Sequence, residues 1–255
     1  MHFIDTHTHL YLEEFKSDID TVIEQASLNN IDKFFLPNID SSAIEDMFLL
    51  EQKFPGKCYP MMGLHPCYVK ENYQSELNIV EEWLAKRSFA AIGEIGLDYY
   101  WDTTFKEEQM HCFTTQMQWA LKYDLPIVIH CRNATPETIE AVKPFAAKGL
   151  KGIFHCFGGS VAEANAIIDL GFLLGIGGVC TYKKAGLDEV LQHIDLQHIV
   201  LETDSPYLTP VPYRGKRNES AYIKIIAQRV AEIKACSLDE VAKVTTENAL
   251  KTFKV

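Results

Sequence analysis

Residues 3–10 read FIDTHTHL, an apolar start followed by two histidines that lie two positions apart. In a β-strand, side chains at positions i and i+2 point to the same face, so His7 and His9 are expected to project together, with Asp5 below them. Two imidazoles buried on one face carry a desolvation cost unless a partner binds them. A metal ion is a natural partner for such a pair.

A short β-like run followed by a longer stretch with apolar residues at helical spacing recurs along the whole chain. The predicted strands cover residues 2–10, 33–39, 58–65, 89–98, 126–132, 151–157, 172–178 and 198–206. Eight strand–helix units in 255 residues favour a single α/β domain over residues 1–255, folded as a (β/α)8 TIM-type barrel. A doubly wound open sheet is the alternative, but it needs fewer strands or a visible second domain.

Polar residues follow several of these apolar runs at their C-terminal sides. Besides His7 and His9, they are Glu94, His130, His155 and Asp204. The C-terminal ends of the strands converge on the active site of such a barrel, so these four histidines and two carboxylates are predicted to meet there. This set of nitrogen and oxygen ligands suits zinc, manganese or a similar divalent ion. One histidine at a strand end is usually a structural residue, but recurrence at five strand ends favours a metal site.

Charge and cysteine content narrow the function classes. The 24 Lys and Arg residues against 35 Asp and Glu residues give a formal net charge of −11, which argues against a protein that coats nucleic acid through phosphate contacts. An enzyme that meets phosphates at a local metal site stays possible. The seven cysteines, an odd number without a CxxC pair, predict reduced thiols in a cytoplasmic protein. No apolar run is long enough for a membrane span, so no membrane partner is expected. The oligomeric state stays open, with a monomer favoured.

The chain resembles the TatD family of metal-dependent hydrolases, within the amidohydrolase-like barrels. The matching stretches, which follow one another over nearly the whole chain, are FIDTHTHL, GLHP, IGEIGLDYY, LPIVIHCR, HCFGGS, LETDSPYL and PYRGKRNES. Members of this family are metal-dependent deoxyribonucleases, often with 3′ to 5′ exonuclease activity. The resemblance implies that the metal ligands are His7, His9, Glu94, His130, His155 and Asp204, and all six are present.

The implied reaction is hydrolysis of phosphodiester bonds in DNA, single-stranded or at 3′ ends, with two divalent ions (Mg, Mn or Zn). Two ions roughly 3.5–4 Å apart can activate a water, clamp the phosphate and stabilise the leaving oxygen. The expected division places His7, His9 and Asp204 on one ion and His130 and His155 on the other. Glu94 is expected to bridge the ions, and Asp204 to accept a proton from the attacking water, so both are predicted catalytic residues.

Two further residues are predicted to bind substrate. His65 ends the third run in GLHP and is expected either to bind the substrate phosphate or to cap the strand. Arg214 lies in the loop LTPVPYRGKRN (208–218), within a matched family motif, and arginine can grip a phosphate with two hydrogen bonds. Lys216 and Arg217 of the same loop are equally consistent with a solvated surface.

Residues adjoining the predicted ligands have supporting roles. Asp98, Tyr99 and Glu202 are expected to orient ligands through hydrogen bonds. Cys131 and Cys156 each follow a candidate ligand, so strand alternation predicts that they face the helices as small core residues.

Two other functions stay open at this stage. In one, the same metal site hydrolyses an amide or ester bond instead of a phosphodiester, as in a D-aminoacyl-tRNA deacylase. The other is a non-catalytic metal-binding or protein-interaction module, which predicts a lost ligand or a filled cavity. The fold cannot decide between them, because barrels of this kind carry many chemistries.

Overall fold

A computed structural model describes residues 1–255 and contains eight parallel strands that alternate with helices. The strands are β1 Phe3–Asp5, β2 Ile31–Pro37, β3 Cys58–Met61, β4 Ile92–Asp98, β5 Ile127–Arg132, β6 Gly152–Phe154, β7 Leu173–Ile176 and β8 Ile199–Leu201. The helices are α1 Ile19–Leu28, α2 Ile44–Lys53, α3 Tyr73–Lys86, α4 Lys106–Tyr123, α5 Thr135–Ala146, α6 Val161–Asp169, α7 Leu187–His193, α8 Ile223–Lys234 and α9 Leu238–Phe253. None of the helices is both long and apolar enough to cross a lipid bilayer.

The strands form two parallel sheets, β1–β2–β3 and β4–β5–β6–β7–β8, whose edges meet. A bridge between Met62 and Ile92 joins β3 to β4, and a bridge between Thr8 and Ser205 joins the segments that follow β1 and β8. The Thr6 amide also donates a hydrogen bond to the Leu201 carbonyl at 3.1 Å. The predicted TIM-type α/β barrel is therefore confirmed.

Apolar side chains fill the lower part of the barrel interior. This interior cluster consists of Ile4, Phe35, Met61, Ala91, Val128, Ile153, Val200, Ala249 and Phe253. The last two belong to α9, and the Phe253 ring stacks on Phe35 with 3.7 Å between centroids. Because Asn248 of α9 also bonds the Ile199 carbonyl at the start of β8, this helix closes the N-terminal end of the barrel. Polar groups can therefore converge only at the opposite end.

Several strands end earlier than the sequence predicted. The first, expected over residues 2–10, ends at Asp5, and the sixth and eighth end at Phe154 and Leu201. The chain leaves the hydrogen-bonded ladder there and turns, with left-handed φ values of 48° at Cys156 and 57° at Asp204. These turns orient the polar side chains that follow each strand, which strict strand alternation cannot describe.

Candidate metal centre

All six predicted ligands lie together at the C-terminal end of the barrel, around the carboxylate of Glu94. Glu94 is in β4 and only 2 % exposed, so its two oxygens are held inside the protein. Five of the six line a cavity of about 660 Å³, which also contains His65, Tyr68, Trp101, Arg132 and Tyr207. The cavity is open, and none of the expected ligands is missing, which argues against the non-catalytic module.

One oxygen of Glu94 faces the histidines that follow β1. Its Oε2 lies 3.1 Å from His7 Nε2 and 3.7 Å from His9 Nε2. Asp204 Oδ1 lies 3.7 Å and 3.5 Å from the same two nitrogens. His7, His9 and Asp204 therefore lie together and form the first group of potential ligands.

The other oxygen of Glu94 faces a second group of histidines. Its Oε1 lies 2.9 Å from both His130 Nδ1 and His155 Nε2, and 3.3 Å from His65 Nε2. Glu94 thus places one oxygen against each group. His65, expected to bind phosphate or cap its strand, lies at the same range as the predicted ligands. It also caps the short 3-10 helix Pro66–Tyr68, because His65 Nδ1 accepts a hydrogen bond from the Cys67 amide at 3.0 Å.

The donor set fits divalent cations. His7 Nδ1 is buried without a hydrogen-bond partner, and His7 Nε2 has no well-aligned one although Glu94 Oε2 lies 3.1 Å away, whereas buried polar atoms are almost always paired. Potential ligand atoms of His7, His9 and Glu94 lie within 4.8 Å of one another, and so do those of Glu94, His130 and His155. Imidazole nitrogens with carboxylate oxygens are suitable ligands for zinc or manganese.

The protonation states of Glu94 and His7 favour cation binding, whereas His155 must lose a proton first. Burial would lower the pKa of His155, but Glu94 and Glu202 raise it well above its usual range, so a bound cation would take the place of that proton. Burial alone would raise the pKa of Glu94, but the imidazoles of His155, His65 and His7 lower it well below its usual range. Burial and the neighbouring His155 lower the pKa of His7, which keeps its imidazole neutral. An ionised carboxylate and a neutral imidazole are the forms that bind metal ions.

Carboxylates hold two of the ligand imidazoles from behind. His130 Nε2 lies 2.8 Å from Asp98 Oδ2, and His155 Nδ1 lies 3.4 Å from Glu202 Oε1. Gly175 makes room for the fully buried Glu202, because a Cβ on that glycine would lie 2.2 Å from Glu202 Oε2. Asp98 and Glu202 therefore contact potential ligands as predicted, whereas Tyr99 packs under the Lys106 ammonium and does not line the cavity.

Comparisons with known proteins agree with this geometry. A family model described as TatD related DNase matches residues 4–254. The chain is also 36 % identical over 252 residues to a Bacillus subtilis (strain 168) protein named "Uncharacterized metal-dependent hydrolase YabD", covering 98 % of both chains. This chain belongs to the TatD family. It is therefore a member of a family of metal-dependent hydrolases, as the resemblance implied.

Two other TatD-family members extend the comparison. The crystal structure of YjjV, a TatD homologue from Escherichia coli K12, superimposes with a TM-score of 0.93 at 26 % identity, covering 99 % of this chain and 98 % of the other. A Pectobacterium parmentieri (strain WPP163) protein named "3'-5' ssDNA/RNA exonuclease TatD" is 28 % identical over 257 residues, covering 98 % of this chain and 99 % of its own length. The TatD-family fold thus extends over almost the whole chain.

The basic residues of the loop 208–218 do not line the cavity, although Leu208 at its start does. Arg214 is exposed and places its guanidinium 3.9 Å from the centre of the Tyr182 ring, and it does not line the cavity. Its role therefore stays a prediction, limited to parts of a substrate that extend beyond the cavity. Arg217 forms two hydrogen bonds to Asp18, of 2.8 Å and 2.7 Å, so this arginine joins the loop to the segment before α1.

The structure agrees with the predicted orientation of one cysteine, Cys131, better than with that of the other, Cys156. Cys131 Sγ lies 3.4 Å from Thr138 Oγ1 of α5, so its thiol faces the helices, although the residue also lines the cavity. Cys156 lies beyond the end of β6 in a left-handed turn and lines the cavity, so the expectation that it faces away from this site is wrong. Alternation failed because Cys156 is not in a strand.

Three residues around the centre were not singled out from the sequence. Tyr11 places its hydroxyl 2.9 Å from His9 Nδ1, two positions further along the same segment. Arg132 follows His130 by two positions in β5, and Trp101 follows β4, and both line the cavity. Tyr11 and Arg132 could have been identified from the sequence, because each lies two positions after a predicted ligand. No comparable sequence pattern identifies Trp101.

Proposed function

We propose that this TatD-family protein is a deoxyribonuclease that hydrolyses phosphodiester bonds at 3′ ends of single-stranded DNA. The observation that carries the proposal is the position of the Glu94 carboxylate at the floor of an open cavity. Each of its two oxygens faces a different group of potential ligands. A carboxylate in this position can bridge two cations. The exonuclease name of the Pectobacterium relative supports the choice of substrate.

In this proposal the six predicted ligands hold two divalent ions, Mg, Mn or Zn. When bound, such ions neutralise the phosphate and lower the pKa of the attacking water. His7, His9 and Asp204 would hold the first, and His130 and His155 the second. His65 accepts from the Cys67 amide at Nδ1, so its Nε2, 3.3 Å from Glu94 Oε1, would carry a proton and would donate it in a hydrogen bond to a substrate phosphate, the role predicted from the sequence.

The charges that line the cavity explain why a cation is needed. Glu94, Asp98 and Asp204 are carboxylates, and Arg132 is the only lysine or arginine among the lining residues. With the histidines neutral, as metal binding requires, three carboxylates against one guanidinium would repel a phosphodiester. Bound divalent ions reverse that balance, so a protein with a formal charge of −11 can accept a polyanion here.

Asp204 is the proposed proton acceptor. Its side chain is 15 % exposed towards the cavity, more than that of any other carboxylate at the centre, so a water can reach it. Burial would raise its pKa, but a hydrogen bond from His9 and the charges of His155 and His7 lower it below its usual value. Asp204 is therefore ionised near neutral pH and able to take a proton from the attacking water.

The seven cysteines are all free, which supports a reducing, cytoplasmic location as part of the same proposal.

The proposed function is tested by measuring hydrolysis of single-stranded DNA, RNA and an aminoacylated tRNA in the presence of a series of metal ions. We expect divalent metal to support release of nucleotides from a 3′-labelled DNA strand, with no release by the matched His155→Ala variant. Release of the acyl group without cleavage of either nucleic acid would instead establish the amide or ester hydrolase.

A further inference from the structure

Exposed aromatic side chains concentrate around the mouth of the cavity, meaning its opening at the C-terminal end of the barrel. The chain has five exposed aromatic residues, namely Tyr68, Tyr100, Trp101, Tyr207 and Tyr213. Three of them line the cavity and Tyr100 adjoins Trp101, whereas Tyr213 lies elsewhere. Exposed aromatic rings do not gain the stabilisation that burial gives. Their concentration at one opening therefore indicates a binding surface for a ligand with a flat apolar face.

Trp101 and its neighbours form one continuous surface on the β4–β5 side of the mouth. Trp101 is 69 % exposed, and its ring meets the Tyr100 ring edge to face with 4.9 Å between centroids. The Arg132 guanidinium lies 3.8 Å from the centre of the Tyr100 ring and 5.1 Å from that of Trp101. We name this group of Tyr100, Trp101 and Arg132 the aromatic platform.

The platform is held at a fixed place relative to the candidate metal centre. Asp98 Oδ1 accepts hydrogen bonds from the amides of Tyr100 and Trp101, at 2.9 Å and 3.1 Å. The other oxygen of the same carboxylate lies 2.8 Å from His130 Nε2. One buried side chain thus positions both a potential metal ligand and the turn that presents Trp101 to the cavity.

Arg132 has the properties of a ligand-binding cation. It is exposed, makes no ion pair with any carboxylate of the chain, and is the only lysine or arginine lining the cavity. Its stacked guanidinium keeps N–H groups available for a phosphate or for the acceptor edge of a base. A planar ring beside a free cation is the combination that recognises a nucleotide by stacking and by charge.

We propose that the aromatic platform binds one unpaired nucleobase next to the scissile phosphate, with the base stacked on Trp101 and the adjoining phosphate at Arg132. This inference rests on the proposed nuclease function, and it identifies the residues that would make the site specific for unpaired nucleotides. A base in a duplex is stacked and paired, and it would have to leave the helix to reach the platform, so the protein selects single strands. The platform contacts no sugar hydroxyl in this proposal, and it therefore does not separate DNA from RNA.

A cycle of protein and substrate changes tests the platform. The substrates are two 3′-labelled single strands of equal length, one of thymidines and one with abasic tetrahydrofuran residues flanking the scissile phosphate. We expect Trp101→Ala to lower kcat/KM on the thymidine strand about 5- to 150-fold, mainly through KM, and Trp101→Phe to restore most of it. On the abasic strand the wild type should already be slow, and Trp101→Ala should change little further.

The matched control is Trp83→Ala on α3, a tryptophan that packs on Phe48 and does not line the cavity. Circular dichroism checks that each variant folds. Equal losses from Trp101→Ala on both strands would overturn the platform, since the loss would then not depend on a base.

A binding measurement separates this inference from the nuclease proposal. Tryptophan fluorescence is recorded in metal-loaded Asp204→Asn protein as a short oligothymidylate is added, with and without Trp101→Phe. Quenching that disappears with Trp101→Phe supports the platform even if the wild type hydrolyses no nucleic acid, a result that would overturn only the proposed function. Hydrolysis that is indifferent to Trp101→Ala would overturn the platform and leave the nuclease standing.

Discussion

Replacing Asp98 by asparagine should weaken metal binding through the tautomer of His130. Asp98 Oδ2 lies 2.8 Å from His130 Nε2, and Asp98 Oδ1 accepts from the amides of Tyr100 and Trp101. Burial would raise the pKa of Asp98, but the hydrogen bonds from His130, Trp101 and Tyr100 lower it below its usual range. The ionised carboxylate only accepts hydrogen bonds, so with a metal ion bound it would keep the His130 proton on Nε2 and leave the Nδ1 lone pair, on the Glu94 side of the ring, for the ion.

Asparagine has almost the same shape, and its oxygen can still accept from the two backbone amides. Its amide nitrogen would then face His130 Nε2 and donate to it, which moves the ring proton to Nδ1. We expect the affinity for one divalent ion to fall about 10- to 100-fold, equivalent to about 1.4–2.7 kcal/mol, with little change in fold. Activity should return in part at high metal concentration, because the lost interaction acts on metal binding.

The assay is competition between the protein and a chelator of known affinity, with Asp102→Asn as the matched control. Asp102 lies in the same turn but pairs with the Lys70 ammonium at 2.7 Å, so its loss should leave metal affinity unchanged. Wild-type affinity in Asp98→Asn, or equal losses in both variants, would refute the tautomer argument.

Three further changes probe the chemistry and the fold. Asp204→Asn should lower kcat by roughly 10²–10⁴-fold while binding of a short oligonucleotide weakens little, as single-turnover cleavage beside equilibrium binding would show; a loss of binding as large as the loss of rate would make Asp204 a structural ligand only. Phe253→Ala should cost about 3–5 kcal/mol in thermal unfolding, because it opens a cavity against Phe35 at the closed end of the barrel, and unchanged stability would contradict that packing. Arg217→Ala should cost less than about 1 kcal/mol at neutral pH in urea unfolding. Since the hydrogen bond from Arg217 lowers the pKa of Asp18, this cost should decrease as the pH falls from 3.8 through that lowered pKa, while the contacts of Arg217 with the Glu14 carbonyl and the Phe15 ring remain; a cost independent of pH would contradict the ion pair.

The sequence predicts the barrel and the ligand cluster well because both depend on a repeated pattern. An apolar run followed by a polar residue places that residue at the C-terminal end of its strand, whatever the length of the strand. His7, His130 and His155 were therefore found although β1 and β6 are only three residues long.

Contacts between distant segments were harder to predict. The loop motif predicts that Arg214 binds substrate, but only the fold shows that its guanidinium packs on Tyr182 outside the cavity, so this role stays a prediction. Cys156 was misplaced because alternation was extended past the end of β6 into a left-handed turn. Trp101 carries no periodic signal, and only the fold shows that its ring lines the cavity.

In the proposed function, hydrolysis of nucleic acid requires divalent cations bound around Glu94. The most direct test is a titration of metal-free protein with Mn²⁺, in which cleavage of a 3′-labelled single-stranded DNA is measured at each step. We predict no cleavage in the stripped protein, a rate that rises until two equivalents are bound, and no recovery with His7→Ala or His155→Ala at the same metal concentration. Undiminished cleavage by the stripped protein in excess chelator, or full activity and metal content in both variants, would contradict the account.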